Sequence, residues 1–527
     1  MNKLLIISLL CVLSLTSFCQ ETKTHANWQL LDPQNDKIYG AGVEKAYQLL
    51  KGRTPKEVIV AVIDGGVDIN HEDLQGVIWT NTGEIPGNGI DDDHNGYVDD
   101  IHGWNFLGGS GGNIEFESTE LARMYHRLNR KYANMDSTTV PEAQKSEYRE
   151  YVKVKTKFNA EQMQNFNEMM VVNELNTLIV KIKNQNNGKL SRKAVKHYKP
   201  ENEREKLFRK VLKLALLVGN AGELDKEITE ESKHNAALMK FNALNTDSIR
   251  AAVVGDNPAN ASERYYGNND VIGPDAMHGT HVAGIIAAIR NNNIGMNGVA
   301  DHVKIMVLRA VPDGDERDKD IANAIRYAVD NHASVINMSF GKYYSPDKAV
   351  IDSAVRYAQA HDVLFIHAAG NESKNMDIEK SFPSDELLSG TTVKNWIEVG
   401  ANDRKKGKKL LGSFSNYGKK RVDLFAPGVN IYSTGPNNTY INLSGTSMAS
   451  PVTTGVAALI REYFPELKAE EVKEVMMKSV TVYKKKVKVP QMPGPKKGKL
   501  ENQSLNELSV SGGVVNAANA VKILLKK

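Results

Sequence analysis

Three segments of the chain hold residues whose types and neighbours suit hydrolysis of an amide bond by a serine. Ala61-Val62-Ile63-Asp64-Gly65-Gly66-Val67-Asp68 puts the Asp64 carboxylate at the end of an apolar run. His278-Gly279-Thr280-His281-Val282-Ala283-Gly284-Ile285 offers two imidazoles where a helix should start. Ser444-Gly445-Thr446-Ser447-Met448-Ala449-Ser450-Pro451 sets Ser447 ahead of an apolar helix running through Leu459. The chemistry needs a nucleophile, a base to take its proton, a carboxylate to orient the base, and donors for the oxyanion. Ser447, a histidine and Asp64 fill the first three roles. A strand-ending aspartate or a lone histidine is a weak signal by itself. The serine segment says more, because Gly445, the small residues and Pro451 describe a hydroxyl exposed at a helix N-terminus, where free N–H groups favour developing negative charge. Spacing alone does not choose between His278 and His281.

A second constellation is acidic. In Asn88-Gly89-Ile90-Asp91-Asp92-Asp93-His94-Asn95-Gly96-Tyr97-Val98-Asp99-Asp100, Asp91, Asp93 and Asn95 alternate before Gly96, like the first half of an EF-hand loop. The position of the closing bidentate glutamate is His102, so a true EF-hand is not expected. So many carboxylates without basic neighbours repel one another unless a cation is bound. Calcium held by Asp91, Asp93, Asn95 and Asp99 is the expectation, with a solvated acidic turn as its alternative.

Elements must position these groups. Val58 to Ile63 reads as a strand ending at Asp64. From Tyr265 onward short apolar runs alternate with helical stretches: strand Val303 to Leu308, helix Asp320 to Asn331, strand Val335 to Met338, helix Ala349 to His361, strand Val363 to Ala368. Short buried strands joined through helices predict an α/β doubly wound parallel sheet covered on both faces, with functional residues at the carboxyl ends of its strands. Between them, from about Glu115 to Ser262, the chain is rich in Lys, Glu and Asn and helical in period. Met163, Phe166, Met170, Leu175, Leu178, Ile179 and Ile182 recur at helical spacings, as do Leu207, Val211, Leu212 and Ala215. Pro141 suits a helix start and Gly219 a helix stop. This block is expected to be an insertion packing on itself and on the core, or a lid or folding aid.

The bulk numbers agree with a globular protein. Of 527 residues 41% are hydrophobic and 25% charged, and the formal net charge of +4 argues for neither nucleic-acid nor membrane partners. Lys3 followed by apolar residues Leu4 to Leu15 and small or polar ones through Gln20 fits a secretory leader, too short to span a bilayer. Cleavage after Cys19 is expected; lipidation of Cys19 is the alternative, disfavoured by bulky Phe18. Both cysteines, Cys11 and Cys19, fall in the leader, which excludes disulfides, cysteine proteolysis and thiolate metal sites from the mature chain.

The ordered set resembles a known family. The octapeptide at His278 and the stretch from Gly445 to Pro451 look like the two best signatures of the subtilisin-like serine proteases, and the order Asp, His, Ser is that family's. The resemblance selects His278 over His281. Ala368-Ala369-Gly370-Asn371 is similar to the family segment whose asparagine completes the oxyanion hole, which implies that role for Asn371. Val335-Ile336-Asn337-Met338-Ser339-Phe340-Gly341 resembles the strand whose exposed edge pairs with the peptide. Substrate contacts at Ser339, Phe340, Gly341, Ala368, Ala369 and Gly370 follow from the resemblance, as does calcium in loops near the acidic run. An exported endopeptidase acting on polypeptides is therefore implied, in the periplasm or outside the cell. The rivals are a non-catalytic peptide-binding scaffold, whose mark would be a lost triad or oxyanion residue, and a protease restricted to one partner.

Residues 1–19 are expected as leader and 115–262 as the helical insertion from their composition, while the resemblance implies 20–55 as an N-terminal arm and 56–114 and 263–527 as the two parts of the catalytic domain. Asp64 and His278 stand 214 positions apart, a gap which that insertion explains. Few residues separate the leader from the strand of Asp64, so folding without a usual pro-domain is expected. His367 stands where a small apolar residue is more usual, which leaves the pocket's preference open. The lysines around 484–488 and 496–499 read as a solvated loop, and Ser511 to Ala517 as the family's closing segment, against a further C-terminal domain.

Overall fold

Every residue of the strand Val58–Asp64 (β1) except Ile59 is buried, and its side chains divide between two cores. Val58, Val60 and Val62 belong to one, Ala61 and Ile63 to the other. A strand covered on both faces has no need of polar alternation, which is why it reads as an unbroken aliphatic run. The computed structural model describes residues 26–218, 220–491 and 501–526. The leader with Cys11 and Cys19, the helix stop at Gly219 and the lysines at 496–499 lie outside the described residues.

Around β1 the chain builds a nine-stranded sheet of order β12-β13-β9-β8-β7-β6-β1-β5-β2. Its members are β2 (Gly103–Asn105), β5 (Val303–Arg309), β6 (Val335–Met338), β7 (Leu364–Ala368), β8 (Trp396–Asn402), β9 (Leu424–Pro427), β12 (Thr481–Val482) and β13 (Gly513–Val514). Only β12 runs antiparallel to its neighbour. Two hairpins, β3 (Gly108–Gly109) with β4 (Gly112–Asn113) and β10 (Ile431–Gly435) with β11 (Thr439–Leu443), stand apart from it. Chain order leaves β1 between β5 and β6, so the crevice at its carboxyl end is a topological switch point.

Helices α1 (Val43–Leu50), α8 (Met277–Ala287), α11 (Thr446–Tyr463), α12 (Ala469–Ser479) and α13 (Ala517–Leu524) contribute to the core on one face. Helices α9 (Asp318–Asp330) and α10 (Lys348–Ala360) cover the other. This is the expected doubly wound α/β arrangement. Element ends move by one or two residues from the sequence reading, as at α9, which starts at Asp318 rather than Asp320.

Residues 116–246 form a compact unit of their own. It holds α2 (Glu120–Tyr132), the 40-residue α3 (Lys145–Asn184), α4 (Arg192–His197), α5 (Glu203–Val218) and α6 (Ala221–Asn242), while α7 (Thr246–Val253) opens the return to the sheet unit. Pro141 precedes a 3-10 turn, Glu142–Gln144, that leads directly into α3. Leu175, Leu178, Ile179 and Ile182 meet Val211, Leu212 and Ala215 in an aliphatic core. Met163, Phe166 and Met170 differ from that pattern: they keep helical spacing but are 62, 45 and 40% exposed. Periodicity marks a face of a helix without saying whether anything covers it. Residues 247–262, read from sequence as part of the insertion, fall in the sheet unit.

Candidate active site

Asp64, His278 and Ser447 stand on three elements, and the first two are joined by a hydrogen bond. Asp64 ends β1 and is 3% exposed. Its Oδ1 accepts the Gly65 N–H at 2.8 Å, and its carbonyl accepts the N–H groups of Ala310 and Val311. His278 lies in the first turn of α8, and its Nδ1 stands 2.8 and 2.9 Å from the two Asp64 oxygens. A carboxylate only accepts, so Nδ1 carries the proton and Nε2 is left as the base. The close approach depends on Gly279: a Cβ there would lie 2.2 Å from the Gly66 carbonyl oxygen and 3.2 Å from Asp64 Cβ.

Although 43% of the His278 side chain is accessible, the surrounding protein favours the neutral ring. The charge and hydrogen bond of Asp64 outweigh this and hold the pKa above the ordinary histidine value. His281 has the opposite environment. It is fully buried, its Nε2 donates to the carbonyls of Ile431 and Ile441, and burial together with the nearby His278 lowers its pKa to about 3. It ties α8 to the hairpin β10–β11 as a neutral donor.

Ser447 opens α11, half-buried. Its carbonyl would normally accept the N–H of residue 451, but Pro451 has none. The Ser339 hydroxyl fills that place at 3.0 Å. Asn337 Nδ2 donates to the same Ser339 Oγ, while Asn337 Oδ1 accepts from Ser450 and Thr454 of α11. A closed polar network thus fixes the helix start against the end of β6. Ser447 Oγ donates to the Ser339 carbonyl at 3.1 Å and forms no hydrogen bond to His278 in this structure.

Asn371 follows β7 and is exposed. Its Oδ1 accepts from both the backbone N–H and the hydroxyl of Thr446, at 2.9 and 3.0 Å. Two donors on one atom fix the amide's orientation, so Nδ2 points away with both its hydrogens. The position that a Cβ on Gly445 would take lies 3.5 Å from Asn371 Nδ2 and 3.5 Å from Ser447 N. Glycine therefore keeps open a space bordered by two N–H donors, as an oxyanion requires.

Ser339, Phe340, Gly341, Ala368, Ala369 and Gly370 all line one cavity of about 190 Å³ that also touches Asn371 and Ser447. β6 itself is an interior strand, paired with β1 and β7. The peptide-pairing edge expected from sequence can only be its continuation, 339–341, which pairs with no strand. His367 also lines this cavity. Its Nδ1 lies 2.9 and 3.0 Å from the Glu398 carboxylate, which additionally accepts Trp396 Nε1–H. Burial depresses the His367 pKa, and Glu398, with the nearby Phe340 carbonyl, raises it beyond compensation. Glu398 was not foreseen, for a glutamate in mid-strand β8 carries no motif. A larger cavity of about 300 Å³, lined by Lys348, Phe382, Glu398 and Arg421 among others, contains none of the three central residues.

The acidic run folds onto itself. Asp91 accepts the N–H groups of Asn95 and Gly96, and Asp99 those of Gly87 and Gly89. Asn95 turns its amide to Asp93 and Asp100. Of the four residues expected to hold calcium, Asp93 alone joins a cluster whose carboxylate oxygens lie within 4.8 Å of one another, and its companions are Glu84 and Asp100. Three hard oxygen ligands so placed suit calcium. Glu84 precedes the run and could not be picked out by its spacing.

The model of the subtilase family, Peptidase_S8, matches residues 55–508. The thermophilic serine proteinase of Bacillus sp. strain AK1 is 42% identical over 35% of this chain and 42% of its own length. The subtilisin-like protease 1 of Plasmodium falciparum is 36% identical over 39% of the chain and 31% of its own. Subtilisin DY of Bacillus licheniformis is 36% identical over 39% of the chain and 70% of its own. The chain thus spans less than half the length of the first two relatives.

Proposed function

The chain belongs to the subtilase family, and from that membership we propose that it is an exported serine endopeptidase that cuts polypeptides through an acyl-enzyme. The observation that supports the reading best is the Asp64–His278 hydrogen bond, beside a Ser447 placed in the first turn of a helix and an Asn371 amide oriented by Thr446.

Ser447 Oγ attacks the peptide carbonyl as His278 Nε2 takes its proton, and the imidazolium then protonates the leaving amine. Asp64 keeps the Nδ1–H tautomer and stabilises the imidazolium. The oxyanion receives hydrogen bonds from Asn371 Nδ2 and the Ser447 N–H. An extended substrate pairs through its main chain with 339–341, a mode that gives affinity with little regard to sequence. The side chain before the cut enters the 190 Å³ cavity. Glu84, Asp93 and Asp100 would hold calcium, whose charge relieves their mutual repulsion. The leader-like residues 1–19 support export.

The test is hydrolysis of unfolded casein by the leader-free protein and by Ser447→Ala. Release of peptides by the first and a loss of about 10⁶-fold in the second are expected. No cleavage by the unaltered protein, with peptide binding retained, would favour the scaffold.

A further inference from the structure

At the opposite end of the sheet from the crevice, Asp301, His302 and Glu462 bring two carboxylates and an imidazole together. One ligand atom from each lies within 4.8 Å of the others. The His302 carbonyl accepts the Val58 N–H at the start of β1, and Glu462 sits in the last turn of α11. At about 1.5 Å per helical residue, Glu462 lies some 22 Å along α11 from Ser447. At about 3.3 Å per strand residue, β5 spans about the same distance between Val303 and Arg309.

Glu462 is the anomaly. It is fully buried, its Oε1 accepts only the His302 N–H at 3.3 Å, and its Oε2 accepts no hydrogen bond. The carboxyl it faces is that of Asp301, close enough for a hydrogen bond if one of the two carried a proton. Asp301 Oδ1 lies 2.9 Å from His302 Nδ1. The guanidinium that acts on Glu462, Arg290, is committed to Glu44 and the Gly298 carbonyl. A buried carboxylate oxygen facing a second carboxylate is stable only with a proton or a cation held between them.

We propose that Asp301, His302 and Glu462 form a structural site for a first-row divalent metal ion of the zinc type. One imidazole with two carboxylates suits such an ion, whereas calcium and magnesium favour all-oxygen sets. Bonds of about 2.0–2.2 Å need ligand atoms nearer than the 4.8 Å limit. The side chains of His302 and Asp301, 50 and 29% exposed, have room to close, while Glu462 is fixed. The ion would tie the end of α11, whose first turn holds Ser447, to the start of β5, and it takes no part in peptide hydrolysis.

The test uses the full chain with Ser447→Ala, so that self-digestion does not enter, in buffer with saturating calcium and added zinc alone. Calorimetry and elemental analysis should find one more zinc per chain than in the same protein carrying His302→Ala. Zinc well above its dissociation constant should raise Tm by a few degrees, and the exposed His302→Ala substitution should abolish that rise. Losing a ligand should weaken binding by more than the roughly 10- to 100-fold that loss of a ligand's supporting partner costs. Glu462→Gln, which keeps the shape, should do the same; if it does not fold, His302→Ala decides alone. Equal zinc content and equal Tm response with and without His302 overturn the proposal, as does an unchanged Tm, the result expected if Asp301 and Glu462 share a proton.

Discussion

The sheet unit and the helical unit bury different things. In the helical unit the main core is hydrocarbon with two aromatic rings, Tyr198 and Phe208. Pairs such as Lys145–Glu142, Lys206–Glu203 and Lys233–Glu230 sit on its surface, where they add little. The sheet unit also has aliphatic cores, but it buries Asn337, Ser450 and Thr454 completely and satisfies each one. An apolar stripe holds helices together while tolerating some sliding. A closed network of buried hydrogen bonds has one arrangement, because any displacement leaves a polar group unpaired. In the helical unit such buried polar groups gather at its two ends, where Ser118 Oγ meets Thr246 Oγ1 and Asn242 Oδ1 accepts from the Thr119 N–H and hydroxyl, whereas its main core between the long helices is apolar.

The largest effect that would break this contrast is expected at Asp64. Asp64→Asn should lower kcat by about 10⁴-fold through the wrong imidazole tautomer. Because Asp64 raises the His278 pKa and activity needs the neutral ring, the acid limb of the unaltered enzyme should lie above pH 6.5. In the variant burial is opposed only by the weaker influence of the Asp275 charge, so the limb should shift to lower pH; a limb that stays in place would remove Asp64 from its role.

Asn371→Ala comes next, with kcat reduced about 10²- to 10³-fold and KM little changed, a magnitude known from a subtilisin rather than deduced from this chain. A change confined to KM would assign Asn371 to substrate binding alone. In the helical unit, Ile179→Ala removes a fully buried side chain and should cost about 2–5 kcal/mol of that unit's stability. Casein hydrolysis per folded molecule should stay the same at low temperature, and a large fall in kcat would show that the two units are not independent. The smallest effect is expected from calcium: removal by chelator should lower Tm by the equivalent of about 2.7 kcal/mol when the ion had been at 100 times its dissociation constant. Glu84→Gln should blunt that response, whereas Asp91→Asn, which removes a carboxylate that caps backbone N–H groups, should not.

Much of the sheet was legible because its strands are short, apolar and regularly separated by helices. β1, β5, β6 and β7 and the helices between them lie within two residues of their expected places. Met163, Phe166 and Met170 show the limit of the same reasoning, since period identifies a helical face but burial depends on what lies opposite. At the site, the segments around Asp64, His278, Asn371 and Ser447 stood out because tight turns and helix starts demand particular neighbours. Glu84 and Glu398 did not, because a single glutamate has no local signature.

What the order of residues carried, then, was local: strand ends, helix starts, glycines at close approaches and the candidate groups mounted on them. The family resemblance chose His278 over His281, and the folded chain supplies the physical difference, setting one against a carboxylate and the other against two carbonyls. Only the fold brought Ser339 to the carbonyl that Pro451 leaves without a partner, and Asn371 to Thr446. It also grouped Asp93 with Glu84 and Asp100, and joined Glu462 to Asp301 and His302 across more than a hundred residues. Hydrogen bonds and charge pairs act over a few ångströms in space, and distance along the chain does not measure that.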